Sequence, residues 1–278
     1  LKHIVSIEWL KANLFASDLV IADCRFQLGH VDAGRQAYGE SHIPGAVYFD
    51  LERDLSAPIG EHGGRHPLPD LEPLALKLGL AGISKDTRIV AYDDQGGAMA
   101  SRFWWLLKYL GHEDVFVLDE GFSAWKREGQ PVDALQETPI PATFIANPQS
   151  DLLVDVAEVR AKLGQPGTIL LDSREAPRYL GEAEPIDKAA GHIPGAINKF
   201  WKGVLDEQGR VKTDDELIAN YAELPRDKEI IVYCGSGVTA TPNVLGLSEA
   251  GFTNVKLYAG SWSDWISYGE NPVATGRE

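Results

Sequence analysis

The 278-residue chain has two cysteines, Cys24 and Cys234, and only the second stands where a thiol could serve as a reagent. It opens the run Cys234-Gly235-Ser236-Gly237-Val238-Thr239, between the apolar β-branched stretch Ile230 to Tyr233 and a helical pattern from Ala240 to Ala250. A strand, a glycine-bearing curl and a helix start, in that order, turn backbone N–H groups inward and add the positive end of a helix. Both features favour thiolate over thiol and would hold an anion. Nucleophilic sulfur chemistry is therefore the first expectation, with a buried inert cysteine as the alternative. A phosphatase uses a similar cradle but needs Cys-x5-Arg; position 240 is Ala and no arginine follows before Arg277, so phosphoryl transfer lacks its charge clamp. A dithiol redox enzyme would want Cys-x-x-Cys, and Gly237 occupies that place. A non-catalytic binding module is the third class. His62 and His66 with Glu61 raise the question of a metal, but this glycine-rich loop supplies no further ligands at suitable spacing, and no metal is expected.

The elements that must position Cys234 recur. His42-Ile43-Pro44-Gly45-Ala46 returns as His192-Ile193-Pro194-Gly195-Ala196, and Asp23-Cys24-Arg25 as Asp172-Ser173-Arg174. Ile89-Val90-Ala91-Tyr92 matches Ile230-Ile231-Val232-Tyr233, and Gly121-Phe122-Ser123-Ala124-Trp125 matches Ser261-Trp262-Ser263-Asp264-Trp265, in unchanged order. Two copies of this length each need their own core, so two homologous domains are expected. Their boundaries are placed at 1–132 and 151–278, joined by a proline-bearing, fairly stiff linker over 133–150. Strands are expected at Leu19 to Ala22, Ile89 to Tyr92, Val115 to Leu118, Ile169 to Leu171, Ile230 to Tyr233 and Val255 to Tyr258. Helical patterns at Leu71 to Leu78, Ala98 to Leu110, Asp214 to Tyr221 and Pro242 to Ala250 stop at Gly79, Gly111 or Gly251. The alternation implies an α/β fold, each domain a mostly parallel sheet with helices on both faces, which binds ligands at the carboxyl ends of its strands. The first copy has Asp93-Asp94-Gln95-Gly96-Gly97-Ala98 where the second has its cysteine loop, so thiol chemistry belongs to the second copy alone. Cys24 reads as a packing residue, and the two His-Ile-Pro-Gly histidines as structural.

With 26 basic against 41 acidic residues, the net charge of −15 repels nucleic acid and anionic lipid. No stretch has the roughly 18 uninterrupted apolar residues of a membrane helix. Two widely separated cysteines suggest a reducing compartment, and the start Leu1-Lys2-His3-Ile4-Val5 lacks the pattern of a signal peptide, so a cytoplasmic location is expected.

The cysteine loop through Ala240, both His-Ile-Pro-Gly-Ala segments and the closing Tyr258-Ala259-Gly260-Ser261-Trp262-Ser263-Asp264-Trp265 resemble the tandem-domain rhodanese sulfurtransferases over nearly the whole chain. That family carries a persulfide on the second domain's cysteine. Its thiosulfate-preferring members usually place basic residues directly after the cysteine, whereas Gly235-Ser236 is similar to the 3-mercaptopyruvate branch. The resemblance implies a catalytic set of Cys234, Ser236, His66 and Glu52, the last two contributed by the first domain, in one active site at the domain interface. It also implies a donor cradle from Gly235, Gly237, Val238 and Thr239, with Arg178 as the first substrate arginine. The second family arginine, some nine residues on, is missing: from Tyr179 to Gly191 the only basic residue is Lys188, which is expected to share carboxylate binding with Arg178. The implied reaction moves a sulfane sulfur from a small-molecule donor, 3-mercaptopyruvate ahead of thiosulfate, to cyanide, a small thiol or a thioredoxin-like acceptor. It needs no cofactor.

Overall fold

The computed structural model describes residues 2–278. Two compact units emerge: the chain up to Ala57 with Pro69–Gln149 and Leu205–Lys212, and Pro58–Leu68 with Ser150–Val204 and Thr213–Glu278. The repeat boundaries drawn from sequence differ from these units in two places. The short segment 58–68, inside the first repeat, belongs to the second unit, and 205–212 belongs to the first. The stretch 133–150 is also no free linker. Residues 133–149 belong to the first unit, with backbone N–H groups of Ala142, Asn147 and Gln149 donating to the carbonyls of Gly79 (2.8 Å), Leu110 (2.9 Å) and Tyr109 (2.7 Å).

In the first unit the elements are β1 (Ile4–Val5), α1 (Ile7–Asn13), β2 (Leu19–Asp23), α2 (Ala33–Glu40), β3 (Val47–Tyr48), α3 (Leu71–Leu80), β4 (Arg88–Tyr92), α4 (Ala98–Tyr109), β5 (Val115–Leu118) and α5 (Phe122–Arg127). The strands form one parallel sheet in the order β1-β5-β4-β2-β3. The second unit repeats this with β6 (Leu153–Val154), α6 (Val156–Lys162), β7 (Thr168–Asp172), α7 (Ala176–Leu180), β8 (Ile197–Asn198), α8 (Asp214–Asn220), β9 (Glu229–Tyr233), α9 (Thr241–Glu249), β10 (Val255–Tyr258) and α10 (Ser261–Trp265). Its sheet is again parallel, in the order β6-β10-β9-β7-β8. The central strands are buried along most of their length, which is why they read as continuous β-branched runs rather than alternating ones.

All six expected strands lie within observed ones. The two-residue edge strands β1, β3, β6 and β8 are too short to leave a pattern. Gly111 and Gly251 follow α4 and α9 with φ of 84° and 87°, as helix stops. Gly79 differs, since α3 continues to Leu80. A Cβ at Gly79 would lie 2.6 Å from the Ala142 carbonyl, so close passage of the 133–150 backbone explains that glycine.

The repeated sequence signatures build repeated struts. Arg25 pairs with Asp23 and Arg174 with Asp172, all four buried. His42 stacks on Tyr38 and His192 on Tyr179, with ring centroids 4.0 and 3.9 Å apart. Each histidine also bonds through Nδ1 to the carbonyl of that tyrosine. The closing tryptophans Trp125 and Trp265 donate indole N–H to Pro131 and Pro272 carbonyls, each at 2.8 Å. Both histidines are therefore structural.

One repeated position is not conservative. Asp93 follows β4 where Cys234 follows β9, and its buried carboxylate accepts N–H bonds from Gln95, Gly97, Met99 and Ala100 at 2.8–2.9 Å. Burial pushes the Asp93 carboxyl upward, against the pull of these four donors. Asp93→Ala leaves the donors orphaned and is expected to cost about 2–4 kcal/mol, read as a lower urea midpoint for the first unit. A parental midpoint would show that the donors do not depend on this carboxylate.

Candidate active site

Cys234 begins the loop after β9 and is 1% exposed. Its own backbone is tied to the start of α10. The Cys234 N–H donates to Ser261 Oγ at 3.1 Å, Trp262 N–H donates to the Cys234 carbonyl at 2.9 Å, and Ser263 N–H to the Gly235 carbonyl at 2.9 Å. Ser261 accepts a left-handed backbone, φ 58°, the only non-glycine to do so among the described residues. Its hydroxyl bonds explain the tolerance, since Oγ also donates to the Tyr258 carbonyl.

The loop then curls over the sulfur. Gly237 N–H donates to Cys234 Sγ at 3.2 Å. Gly237 has φ of 80°, and a Cβ there would sit 2.2 Å from the Ala259 carbonyl, so both conformation and space require glycine. The N–H groups of Ser236, Val238 and Thr239 donate to no protein group among the described residues. Their first-unit counterparts at Gln95 and Gly97, matched to Ser236 and Val238, grip the Asp93 carboxylate. The loop is thus a donor set for negative charge, occupied by a side-chain carboxylate in one copy and facing a thiol in the other.

Ser236 and His66 are both buried, with Oγ and Nδ1 2.8 Å apart. His66 comes from the 58–68 segment, which α10 clamps. Gly63 N–H donates to Asp264 Oδ1 at 2.7 Å, Arg65 N–H to Ser263 Oγ at 3.1 Å, and His62 bonds Ser267 Oγ at 2.7 Å while stacking on Tyr268. Gly64 allows the close approach, since a Cβ there would meet the Gly260 carbonyl at 2.4 Å. His62 is engaged by these contacts, and no group of three metal-binding side chains occurs among the described residues.

Two guanidinium groups stand over the cysteine loop. A Cβ on Gly235 would lie 2.7 Å from Arg65 Nη2 and 3.2 Å from Arg178 Nη2. Asp187 bridges them, with Oδ1 2.8 Å from Arg65 Nε and Oδ2 2.9 Å from Arg178 Nη2. Glu184 takes Arg178 Nε at 3.0–3.1 Å. Burial disfavours the Glu184 carboxylate, yet the Arg178 bond and the Asp187 and Ile186 amides outweigh it and hold its pKa below the ordinary value. Arg178, expected from the sequence as a substrate arginine, is one of these two cations; Arg65 is one that the sequence reading did not include.

The chain and its fold match proteins of known class. The rhodanese-like domain model matches residues 6–128 and 155–268. The chain belongs to the rhodanese family. It is 47% identical to the probable 3-mercaptopyruvate sulfurtransferase of Pseudomonas aeruginosa, over 99% of this chain and 98% of that one. It is 35% identical to the thiosulfate sulfurtransferase of Bos taurus, over 95% and 92%. The crystal structure of the 3-mercaptopyruvate sulfotransferase SseA from Escherichia coli superposes with a TM-score of 0.82 at 33% identity, covering 95% of this chain and all of that one.

Within this rhodanese the structure gathers Cys234, Ser236, His66, Arg178 and the loop glycines into one unit. Glu52 lies in the other unit and is exposed. Lys188 is exposed and forms no ion pair or hydrogen bond among the described residues, so the sequence expectation of a second cation at this residue meets a different one, Arg65. Arg65 was missed because it lies far away in sequence. The available signal was Asp187, an acid nine residues after Arg178 where the family has its second arginine; a charge reversal at such a place calls for a cation opposite. The Cys24 thiol makes a long contact to the Ala22 carbonyl, 3.9 Å, and burial together with the Asp23, Asp93 and Asp54 carboxylates raises its pKa well above the ordinary thiol value.

Gly237→Ala is expected to slow alkylation of Cys234 by iodoacetamide at least about tenfold at pH 7, because the Gly237 donor and the curl are lost together. Cys24, kept as a thiol, stays unlabelled in parent and variant alike. Equal Cys234 rates would show that loop geometry does not set the reactivity of this sulfur.

Proposed function

We propose that the protein is a sulfurtransferase that takes the thiol sulfur of 3-mercaptopyruvate onto Cys234, where it becomes sulfane sulfur, and passes it to cyanide or a thiol, a small one or that of a thioredoxin-like protein. The Cys234 thiolate attacks the donor sulfur, the donor C–S bond breaks, and its electron pair leaves as the enolate of pyruvate. Cys234 keeps the sulfur as a persulfide. The enolate carbon must gain a proton, and the Ser236 hydroxyl with His66 behind it is placed to supply one. In the second step the acceptor attacks the outer sulfur and restores the Cys234 thiolate, giving thiocyanate from cyanide or a new persulfide from a thiol. The 2.8 Å contact between the buried Ser236 and His66 side chains carries this reading, because proton delivery to carbon is needed for mercaptopyruvate and not for thiosulfate, whose leaving group is sulfite. The mercaptopyruvate relatives support the same choice. The amides of Gly235, Val238 and Thr239 are assigned to the transferring sulfur and Arg178 to the donor carboxylate. A thiol nucleophile of this kind suits the reducing cytoplasm, where we place the reaction.

Thiosulfate transfer is the second reading. It is favoured by the guanidinium pair over Gly235, which would also attract a sulfonate-like end, and by the bovine relative. Comparing kcat/KM for the two donors decides between them. A preference for thiosulfate of tenfold, about 1.4 kcal/mol, would overturn the mercaptopyruvate assignment.

Cys234→Ser is expected to abolish transfer from every donor, and intact-mass measurement should find one added sulfur atom on the loaded parent and none on the variant. Ser236→Ala should lower turnover of mercaptopyruvate by about 10²-fold or more while changing thiosulfate turnover only a few-fold. Equal losses with both donors would remove Ser236 from proton delivery.

A further inference from the structure

We infer that Arg65, reaching the cysteine loop from the 58–68 segment, is the second cation that binds the donor carboxylate, working beside Arg178 as a specificity-determining residue. This rests on the mercaptopyruvate reading above. The two guanidinium groups flank one point above Gly235, adjacent to the nucleophile, with Nη2 atoms 2.7 and 3.2 Å from it. A guanidinium has five N–H donors in a plane, and the ion pairs engage only part of them. Arg65 gives Nε and Nη2 to Asp187, and Arg178 gives Nε to Glu184 and Nη2 to Asp187. Nη1 of each is uncommitted among the described residues, and the side chains retain 27% and 14% of their exposure, so both face solvent as well as the loop.

Asp187, with a side chain only 3% exposed, is a strut in this arrangement. It holds two like charges side by side, which in its absence would repel, and it fixes the plane of each. The four side chains Arg65, Arg178, Asp187 and Glu184 carry no net charge together. A donor with a single carboxylate can therefore be recognised by directed N–H bonds without a large positive field, whereas a compact dianion gains less from such a neutral cluster. Ordinary salt-bridge function would not require an arginine tip at the mouth of the loop. The contact with the space above Gly235 is what points to donor binding.

The test compares 3-mercaptopyruvate with mercaptoacetone, the 2-oxo thiol that has a methyl group in place of the carboxylate. Because Arg65→Met alone strands the Asp187 carboxylate, the comparison is made between Asp187→Asn and Arg65→Met/Asp187→Asn, which differ only at Arg65. Loss of Arg65 is expected to lower the ratio of kcat/KM for mercaptopyruvate to that for mercaptoacetone by about 10- to 100-fold, mainly through KM for mercaptopyruvate, with Arg65→Lys in the parent background falling between. If both donors decline together, or the ratio is unchanged, Arg65 is a structural residue and the assignment is overturned. Intact mass after loading separates this from failure of the broader reading: a parent that gains no sulfur from mercaptopyruvate overturns that reading and this assignment with it, whereas a parent that gains sulfur with a ratio insensitive to Arg65 overturns this assignment alone.

Discussion

The structure depends on one constraint: a negative charge at the end of the central strand of a parallel sheet must be held by backbone N–H groups. The two copies meet it differently. After β4, Asp93 supplies its own carboxylate to four amides, which fills the cradle and leaves nothing to react. After β9, Cys234 supplies a thiol that engages a single amide, that of Gly237, and leaves the Ser236, Val238 and Thr239 donors free of protein partners among the described residues. The difference is one of charge and reach. An aspartate extends two oxygens into the donors, while a cysteine is shorter and acquires full negative charge only as thiolate or persulfide.

The same constraint accounts for the rigidity around the loop. Donors can hold a charge only if the loop cannot relax away from it, and both copies stitch the loop to the helix start that follows the next strand. Phe122 N–H donates to the Asp93 carbonyl as Trp262 N–H donates to that of Cys234, each at 2.9 Å. The copies part where α10 has Asp264 in place of Ala124. Asp264 receives Gly63 N–H, and neighbouring Ser263 receives Arg65 N–H, so this small change gives the second copy a clamp for the segment that carries both Arg65 and His66. A proton-handling histidine and a cation thus arrive at the loop together, on one short piece of chain.

Much of this was legible in the sequence, and the limits are physical. The buried strands β2, β4, β5, β7, β9 and β10 declare themselves because a strand covered on both faces must be apolar throughout. The nucleophile declares itself because strand, glycine curl and helix start are local, and repetition isolates the copy that retains the cysteine. The edge strands of two residues carry too little pattern to register. Gly79 reads as a helix stop because a glycine forced by the passage of distant backbone looks the same in sequence as one forced by φ. Arg65 escaped the sequence reading for a related reason. Of the two cations over this loop, Arg178 stands at a position the sequence reading named, whereas Arg65 comes from a segment that no loop residue announces. Lys188 follows from the family spacing after Arg178, and a cation that reaches the loop from a distant segment leaves no mark at that spacing.

The distant origin of Arg65 has a general consequence for how donor preference should be read in such loops. Basic residues directly after the cysteine put charge at the rim through the loop itself, and the rim then needs no help. A glycine at the same position does more than omit a charge: it leaves the volume into which Arg65 and Arg178 extend, and any side chain at 235 would have to displace one or both from their bonds with Asp187 and Glu184. Glycine at this point is accordingly a permissive residue for long cations from other segments, and those cations arrive already paired with acids. The charge a donor meets is then set by the balance of four side chains drawn from two segments, and the loop letters report the space available to them rather than the field they create.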